Sequence, residues 1–165
     1  MAVASGTMNP IDILKIIAIT LIPTLELRAS IPFGIFVAKI NPSTVFFIAF
    51  ITNVILGLLV FIFLDKCVHL LRKNKLFEKL YQRTIEKTQK KIKSKIDRYG
   101  PIGLSLFIAI PLPGSGSYTG ALIANILKLN KKQFFVANLV GVFLAALAVT
   151  IACLTGSKAL SIFIR

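Results

Sequence analysis

PLPGSGSYTG, residues 111–120, lies between two strongly apolar segments, LSLFIAI before it and ALIANIL after it. Prolines and glycines at this density interrupt a helix, while the flanking residues are typical of a membrane. Irregular backbone at membrane depth is tolerated only where protein or a water-filled cavity surrounds it. The sequence therefore predicts a binding site at this interruption.

The composition indicates a membrane protein. Hydrophobic residues make up 56% of the 165 residues, which is too apolar for an ordinary soluble domain. The net charge is +14, and 12 of the 20 Lys and Arg residues lie between Lys66 and Arg98. The two cysteines form no disulfide framework or zinc motif. We expect no metal, no cofactor and no nucleic acid partner.

Four apolar stretches organise the chain. Residues 44–64 and 133–155 each span ~30 Å as a helix, which matches the hydrocarbon core, and are predicted transmembrane helices. Residues 11–40 and 101–129 are interrupted at their centres by prolines, glycines or charges. Their uninterrupted limbs are too short to cross a bilayer, so we predict two re-entrant helical hairpins.

The two halves of the chain are similar to each other. A shift of 88 residues places Pro23 on Pro111 and FFIAFITNVILGLL on FFVANLVGVFLAAL. The predicted fold is therefore all-α, with a hairpin and a transmembrane helix in each half (11–64 and 100–156). Paired interrupted segments in two halves are typical of transporter binding sites.

Charge predicts the topology. The basic segment 65–99 is an amphipathic helix candidate and is expected in the cytoplasm. The KLNKK loop, residues 128–132, joins it there only if the broken segments are hairpins. The halves then form an inverted repeat in a prokaryotic plasma (inner) membrane, and the tails 1–10 and 157–165 lie outside. Four short membrane elements enclose a pathway poorly, so a homodimer in contact with membrane lipids is predicted.

Glu26 and Arg28 are the ionisable residues near the middle of an apolar segment. A charge at the bilayer centre costs ~2.5–3.5 kcal/mol, so these residues either serve function or form a structural ion pair at the hairpin tip. PLPGSGSYTG supplies freed backbone amides, which attract anions; the alternative is a packed helix break without a ligand. The predicted substrate-binding residues are Glu26, Arg28, Pro111, Pro113, Gly114, Ser115, Gly116, Ser117, Tyr118 and Thr119.

Three asparagines, Asn53, Asn125 and Asn138, lie within apolar runs and either line a pathway or join helices. Catalysis is not predicted. A serine nucleophile needs a base within hydrogen-bond reach, and His69 lies outside the apolar segments.

The pairing of LELRASIP (25–32) with PLPGSGSYTGALI (111–123) resembles the small multidrug export protein family, within the wider DedA superfamily. The resemblance covers Ile11 to Ile151. Where the family usually has Thr-Gly-Ala-Trp, this chain has Ser-Gly-Ser-Tyr at 115–118. The resemblance implies two inward-facing hairpins, with Glu26 and Arg28 opposite the second break, and transport of lipids such as polyprenyl phosphates.

The expected function is a transporter or flippase for an amphiphile such as a polyprenyl phosphate or phospholipid. Arg28 and the amides of residues 113–120 would hold an anionic head group, and Glu26 would exchange a proton. Two alternatives remain open at this point. One is export of hydrophobic cationic drugs with Glu26 as counter-ion, and the other is a membrane assembly factor.

Overall fold

A computed structural model of the protein describes residues 9–71, 100–110 and 115–163. Three predictions fall wholly or mainly outside these ranges: the start of the N-terminal tail, the basic helix beyond residue 71, and the placement of Pro111, Pro113 and Gly114. The described residues are helical, without a β-strand among them. The predicted all-α class is confirmed for this part of the chain.

The first interrupted segment forms two helices. Helix α1 spans Pro10–Leu21 and α2 spans Glu26–Pro32, continuing as a π-helix over Phe33–Val37. Pro32 has no N–H group, so one α-helical hydrogen bond is missing there. The hydrogen bonds after it can therefore change to the five-residue spacing of a π-helix. The second interrupted segment likewise forms α4, Gly100–Ala109, and α5, Ser117–Ile126.

Helices α1 and α2 fold back on each other. The Thr20 hydroxyl donates to Ser30 Oγ at 2.7 Å, and Ile16 packs where Gly34 has no side chain. Pairing of a later α1 residue with an earlier α2 residue means that the two helices run antiparallel. All four of these residues are buried. The pairing gives α2 a fixed position from which its charged residues reach the second break.

The two long helices are α3, Pro42–Leu71, and α6, Lys131–Phe163. Each contains a 26-residue apolar stretch, Pro42–Cys67 and Lys131–Gly156, in which an 18-residue window has a mean hydropathy of 2.8 and 2.4 respectively. Twenty-six helical residues span ~39 Å, more than the ~30 Å hydrocarbon core. Two membrane-capable helices are therefore confirmed. Both helices are longer than the predicted transmembrane helices, 44–64 and 133–155. Residues 65–71, which were predicted to begin the separate basic helix, are part of α3.

The same local geometry precedes both long helices. Lys39 and Lys128 each have φ 54°, and each is followed by a buried residue, Ile40 or Leu129. The next residue is an asparagine that caps the following helix: Asn41 Oδ1 accepts from Ser43 N at 2.9 Å, and Asn130 Oδ1 accepts from Gln133 N at 2.8 Å. A left-handed residue followed by an Asn cap turns the chain sharply between two helices.

Helices α3 and α6 pack side by side and form the centre of the described core. Phe61 stacks on Phe134 with ring centroids 4.5 Å apart. Asn138 Nδ2 donates to the Val54 carbonyl at 3.2 Å, beside Gly57. The opposite faces of both helices expose apolar side chains such as Ile55 and Val140. A core on one face and an apolar exterior on the other suit helices surrounded by hydrocarbon.

Candidate functional site

Glu26 caps a helix that lies far from it in sequence. Its side chain is only 2% exposed, and its carboxylate accepts three hydrogen bonds. Ser117 N donates to Oε2 at 3.1 Å and Tyr118 N to Oε1 at 3.4 Å, while Asn53 Nδ2 donates to Oε2 at 3.3 Å. The first N–H groups of α5 have no partner within their own helix, and the N-cap residue Gly116 offers no side chain. Glu26 therefore supplies the missing cap and places negative charge at the positive end of α5.

Gly116 makes this contact sterically feasible. A Cβ built on Gly116 would overlap the carboxylate of Glu26. Gly116 thus permits the close approach of a side chain of the same protein.

Arg28 binds the other side of the second break. Its Nη2 donates to the Ile110 carbonyl at 2.9 Å and to Ser115 Oγ at 3.0 Å, and Ser115 Oγ in turn donates to the Ile110 carbonyl at 2.6 Å. Ile110 directly follows α4, where carbonyl groups lack helical partners and carry partial negative charge. Glu26 and Arg28 therefore hold the two sides of the second break, each matched in sign to the helix end it meets.

The alternative prediction, a structural ion pair between Glu26 and Arg28, is wrong. Among the described residues the ion pair is between Lys15 Nζ and Asp12 Oδ1. Glu26 and Arg28 lie on the same short helix, two residues apart, so they point in different directions. Each finds a separate partner across the break instead.

The charge in this site that retains binding capacity is on Arg28. A guanidinium has five N–H donors in a planar fork. Nε and Nη1 of Arg28 are buried, and neither has a hydrogen-bond partner among the described residues. The Glu26 carboxylate, in contrast, already accepts three bonds and occupies the Ser117 and Tyr118 amides. The unpartnered donors on a charged group of this site are therefore those of Arg28.

The rim of the first break is apolar and irregular. Leu21, Ile22 and Leu25 are 42–45% exposed, and Ile110 on the other break is 47% exposed. Thr24 and Glu26 have positive φ values of 76° and 46°, which are uncommon for residues with a Cβ. Tyr118 Oη bridges the two breaks by donating to the Leu21 carbonyl at 2.6 Å. A charged interior with an apolar rim suits a ligand that has both characters.

The three asparagines, similar in sequence context, have different surroundings. Asn53 belongs to the site through Glu26. Asn138 joins α6 to α3 through Val54, and Asn125 binds the Ala121 carbonyl at 3.0 Å and the Phe61 carbonyl at 3.4 Å. The latter two connect helices. Thr119 lies half-buried on α5.

Sequence reasoning missed the backbone partners of the site, the Leu21 and Ile110 carbonyls. Every residue has a carbonyl, so no side-chain pattern marks these two. The predicted helix ends near Leu21 and Ala109 were the available indication of these partners, because the last carbonyl groups of a helix have no hydrogen-bond partner within it.

Comparison with protein families gives one finding. The family model described as "Putative small multi-drug export protein" matches residues 26–148. The matched range begins at Glu26 and includes Arg28, the second break, α3, α5 and much of α6. Comparisons with curated proteins and with solved structures give no match.

Proposed function

The chain belongs to the small multi-drug export protein family, and from this premise we propose that it transports amphiphiles whose anionic group binds Arg28. Family membership and two apolar helices long enough to cross a bilayer identify a membrane protein of the export class. The hydrogen bonds of Glu26 and Arg28 bear on which kind of molecule is transported.

The observation that carries the proposal is the unsatisfied guanidinium of Arg28. A buried donor without a partner is costly, by ~1–3 kcal/mol, and more for a charged group. The Nε–H and Nη1–H groups lie on different sides of the planar guanidinium, and each can donate a charge-assisted hydrogen bond to an oxygen of a phosphate or carboxylate. The anionic group of a ligand would remove this cost, and the exposed Ile22 and Leu25 beside it would contact the apolar part. A lipid-linked phosphate, such as a polyprenyl phosphate or phospholipid, has both parts.

Glu26 has a different role, in proton exchange. It would exchange a proton with the aqueous phase as access to the site alternates, weakening or restoring its hold on α5. Since α5 carries the Ser117 and Tyr118 amides, a change at Glu26 would alter the contact between the two breaks. This couples the binding region to proton movement.

The architecture we propose is an inverted repeat of two re-entrant hairpins, related to the DedA superfamily, in a prokaryotic plasma membrane. Two observations support it. The Lys39 and Lys128 turns have the same geometry before the long helices. Leu21, Ile22 and Leu25 at the first break and Ile110 at the edge of the second expose apolar side chains, which suits burial in hydrocarbon. A homodimer would complete the wall around the pathway.

Export of hydrophobic cations is the second candidate, because the family description names multi-drug export. In that case Glu26 would be the counter-ion. Its carboxylate would have to leave three donors to meet a cation, whereas Arg28 needs to leave none to meet an anion. We therefore place anionic substrates first.

Reconstitution in liposomes distinguishes the two candidates. Transport of a fluorescent polyprenyl phosphate and of a lipophilic cationic dye would be measured for wild type, Arg28→Ala and Arg28→Lys. Loss of charge-assisted bonds worth ~1.5–3 kcal/mol predicts a ~10–100-fold loss of anionic transport in Arg28→Ala. Arg28→Lys should recover part of it, because it restores the charge without the planar fork.

The matched control is Lys132→Ala, which removes one positive charge from an exposed position at the start of α6. It should leave both transport rates unchanged. Thermal unfolding of each variant checks that the loss of the Ile110 contact has not simply unfolded Arg28→Ala. Unchanged anionic transport in a folded Arg28→Ala variant, or transport of the dye alone by wild type, would refute the anionic assignment.

A further inference from the structure

We propose that Asn53 is the positioning residue that holds the Glu26 carboxyl group in both its ionised and its protonated form. This rests on the proton exchange proposed for Glu26. The observations that lead to it are the orientation of the Asn53 amide and the unequal bonding of its two ends.

Asn53 is 1% exposed and lies in the middle of α3, directly against the site. Its Nδ2 donates to Glu26 Oε2 at 3.3 Å, but its Oδ1 is buried and has no partner among the described residues. A fully buried amide oxygen without a donor is uncommon in folded proteins and calls for an explanation. When Glu26 is ionised, Nδ2 of Asn53 makes a hydrogen bond and Oδ1 makes none among the described residues.

Protonation of Glu26 would create a need for a hydrogen-bond acceptor beside the carboxyl group. An ionised carboxylate only accepts hydrogen bonds, whereas a protonated carboxyl also donates one through its O–H. The other groups bound to this carboxylate, Ser117 N and Tyr118 N, are donors and cannot accept that hydrogen. Rotation of the Asn53 amide by 180° about its terminal torsion exchanges Nδ2 for Oδ1 at the same position. Oδ1 then becomes the acceptor that the O–H group needs.

Protonation of Glu26 forms one O–H bond and exchanges one hydrogen bond. A hydronium ion from the aqueous phase transfers its proton to Oε2, forming one O–H bond and leaving water. The hydrogen bond from Asn53 Nδ2 to Oε2 is replaced by one from Oε2–H to Asn53 Oδ1. Oε1 continues to accept from Tyr118 N, so the link to α5 is weakened without being lost.

Few ionisable groups of the described residues lie near Glu26. Arg28 on α2 and the Tyr118 phenol on α5 are the ionisable groups at the two breaks. On the other helices packed on α2, the ionisable side chains that the structure describes lie at other positions: Asp12 and Lys15 on α1, Asp65, Lys66 and Cys67 on α3, and Lys131, Lys132 and Cys153 on α6. Lys39 follows the π-helix. Asn53 is uncharged, so it stabilises either form of Glu26 by hydrogen bonding alone.

Infrared difference spectroscopy of the purified full-length protein tests this without requiring transport. The pH would be lowered from about 8 to about 3, past the ordinary pKa values of carboxyl side chains at about 4. Wild type should develop a protonated-carboxyl C=O band that is missing in Glu26→Gln. In Asn53→Ala this band should move to higher frequency, because the O–H group loses its acceptor. Asn53→Leu, which leaves less empty volume, should give the same shift.

Two controls keep the result specific. Asn138→Ala removes an equally buried asparagine with an unpartnered Oδ1 that binds Val54 and not Glu26, so its band should match wild type. Ser117→Ala removes a second buried acceptor, Ser117 Oγ, while keeping the backbone N–H, and should also leave the band in place.

Three outcomes would overturn the proposal: no Glu26-dependent band, an unshifted band in the Asn53 variants, or an equal shift in Asn138→Ala or Ser117→Ala. A shifted band in a protein that transports no anion would uphold the role of Asn53 and reject the substrate assignment.

Discussion

Gly116 is the residue on whose small size the contact between the two breaks depends. Substitution by alanine places a methyl group where the Glu26 carboxylate lies. Crowding of this kind costs ~1–3 kcal/mol, and displacement of Glu26 would also uncap α5. We expect Gly116→Ala to lower the midpoint of thermal unfolding in detergent.

Gly103 provides the matched control for this substitution. It lies on an exposed face of α4, and a Cβ there would meet nothing within 4 Å. Gly103→Ala should be neutral or stabilising by up to ~1 kcal/mol, since alanine is the better helix former. The cause is tested by repeating Gly116→Ala in a Glu26→Ala background. An undiminished loss there would show that crowding against Glu26 is not responsible.

At the scale of elements, the packing of α3 against α6 at Asn138 depends on Gly57. Its added Cβ would lie 2.6–2.9 Å from the side-chain amide of Asn138, which binds the Val54 carbonyl. Interhelical hydrogen bonds in membranes are worth ~0.6–2 kcal/mol, and overpacking adds to their loss. Gly57→Ala should therefore lower the unfolding midpoint.

Gly156→Ala is the corresponding change on α6 at a position with open space, and should have little effect. Adding Asn138→Ala to Gly57→Ala should recover part of the stability, because it removes the group that the new methyl meets. If the double variant is as unstable as the sum of the singles, the contact between Gly57 and Asn138 is not what sets the helix spacing.

The helices themselves were predictable, because an apolar run of about 20 residues has few alternatives to a helix in a membrane. The breaks were predictable from Pro23, Pro111 and the neighbouring glycines. What Glu26 and Arg28 bind was not, since their partners are backbone groups of a segment far along the chain. The π-helix after Pro32 and the different roles of Asn53 and Asn138 also depend on packing that a sequence pattern does not encode.

For the whole molecule, the arrangement of charges makes a definite prediction about sidedness. If both broken segments are hairpins, the turn at Lys39 lies outside the cell and the turn at Lys128 lies inside, together with Lys131 and Lys132. If the second broken segment crosses the membrane fully, the Lys128 turn must lie outside. The two turns have the same local geometry, so they can be compared by the same chemistry.

Ser43 and Lys132 are suited to this comparison, because each is exposed and is the second residue of its long helix. Each would be changed to cysteine in a background in which Cys67 and Cys153 are replaced by serine and alanine. In intact cells a membrane-impermeant maleimide should label Ser43→Cys and leave Lys132→Cys unlabelled. Permeabilised cells should show labelling of both, which controls for reactivity. Labelling of both sites in intact cells would mean that the second broken segment spans the bilayer, and the inverted repeat of hairpins would have to be abandoned.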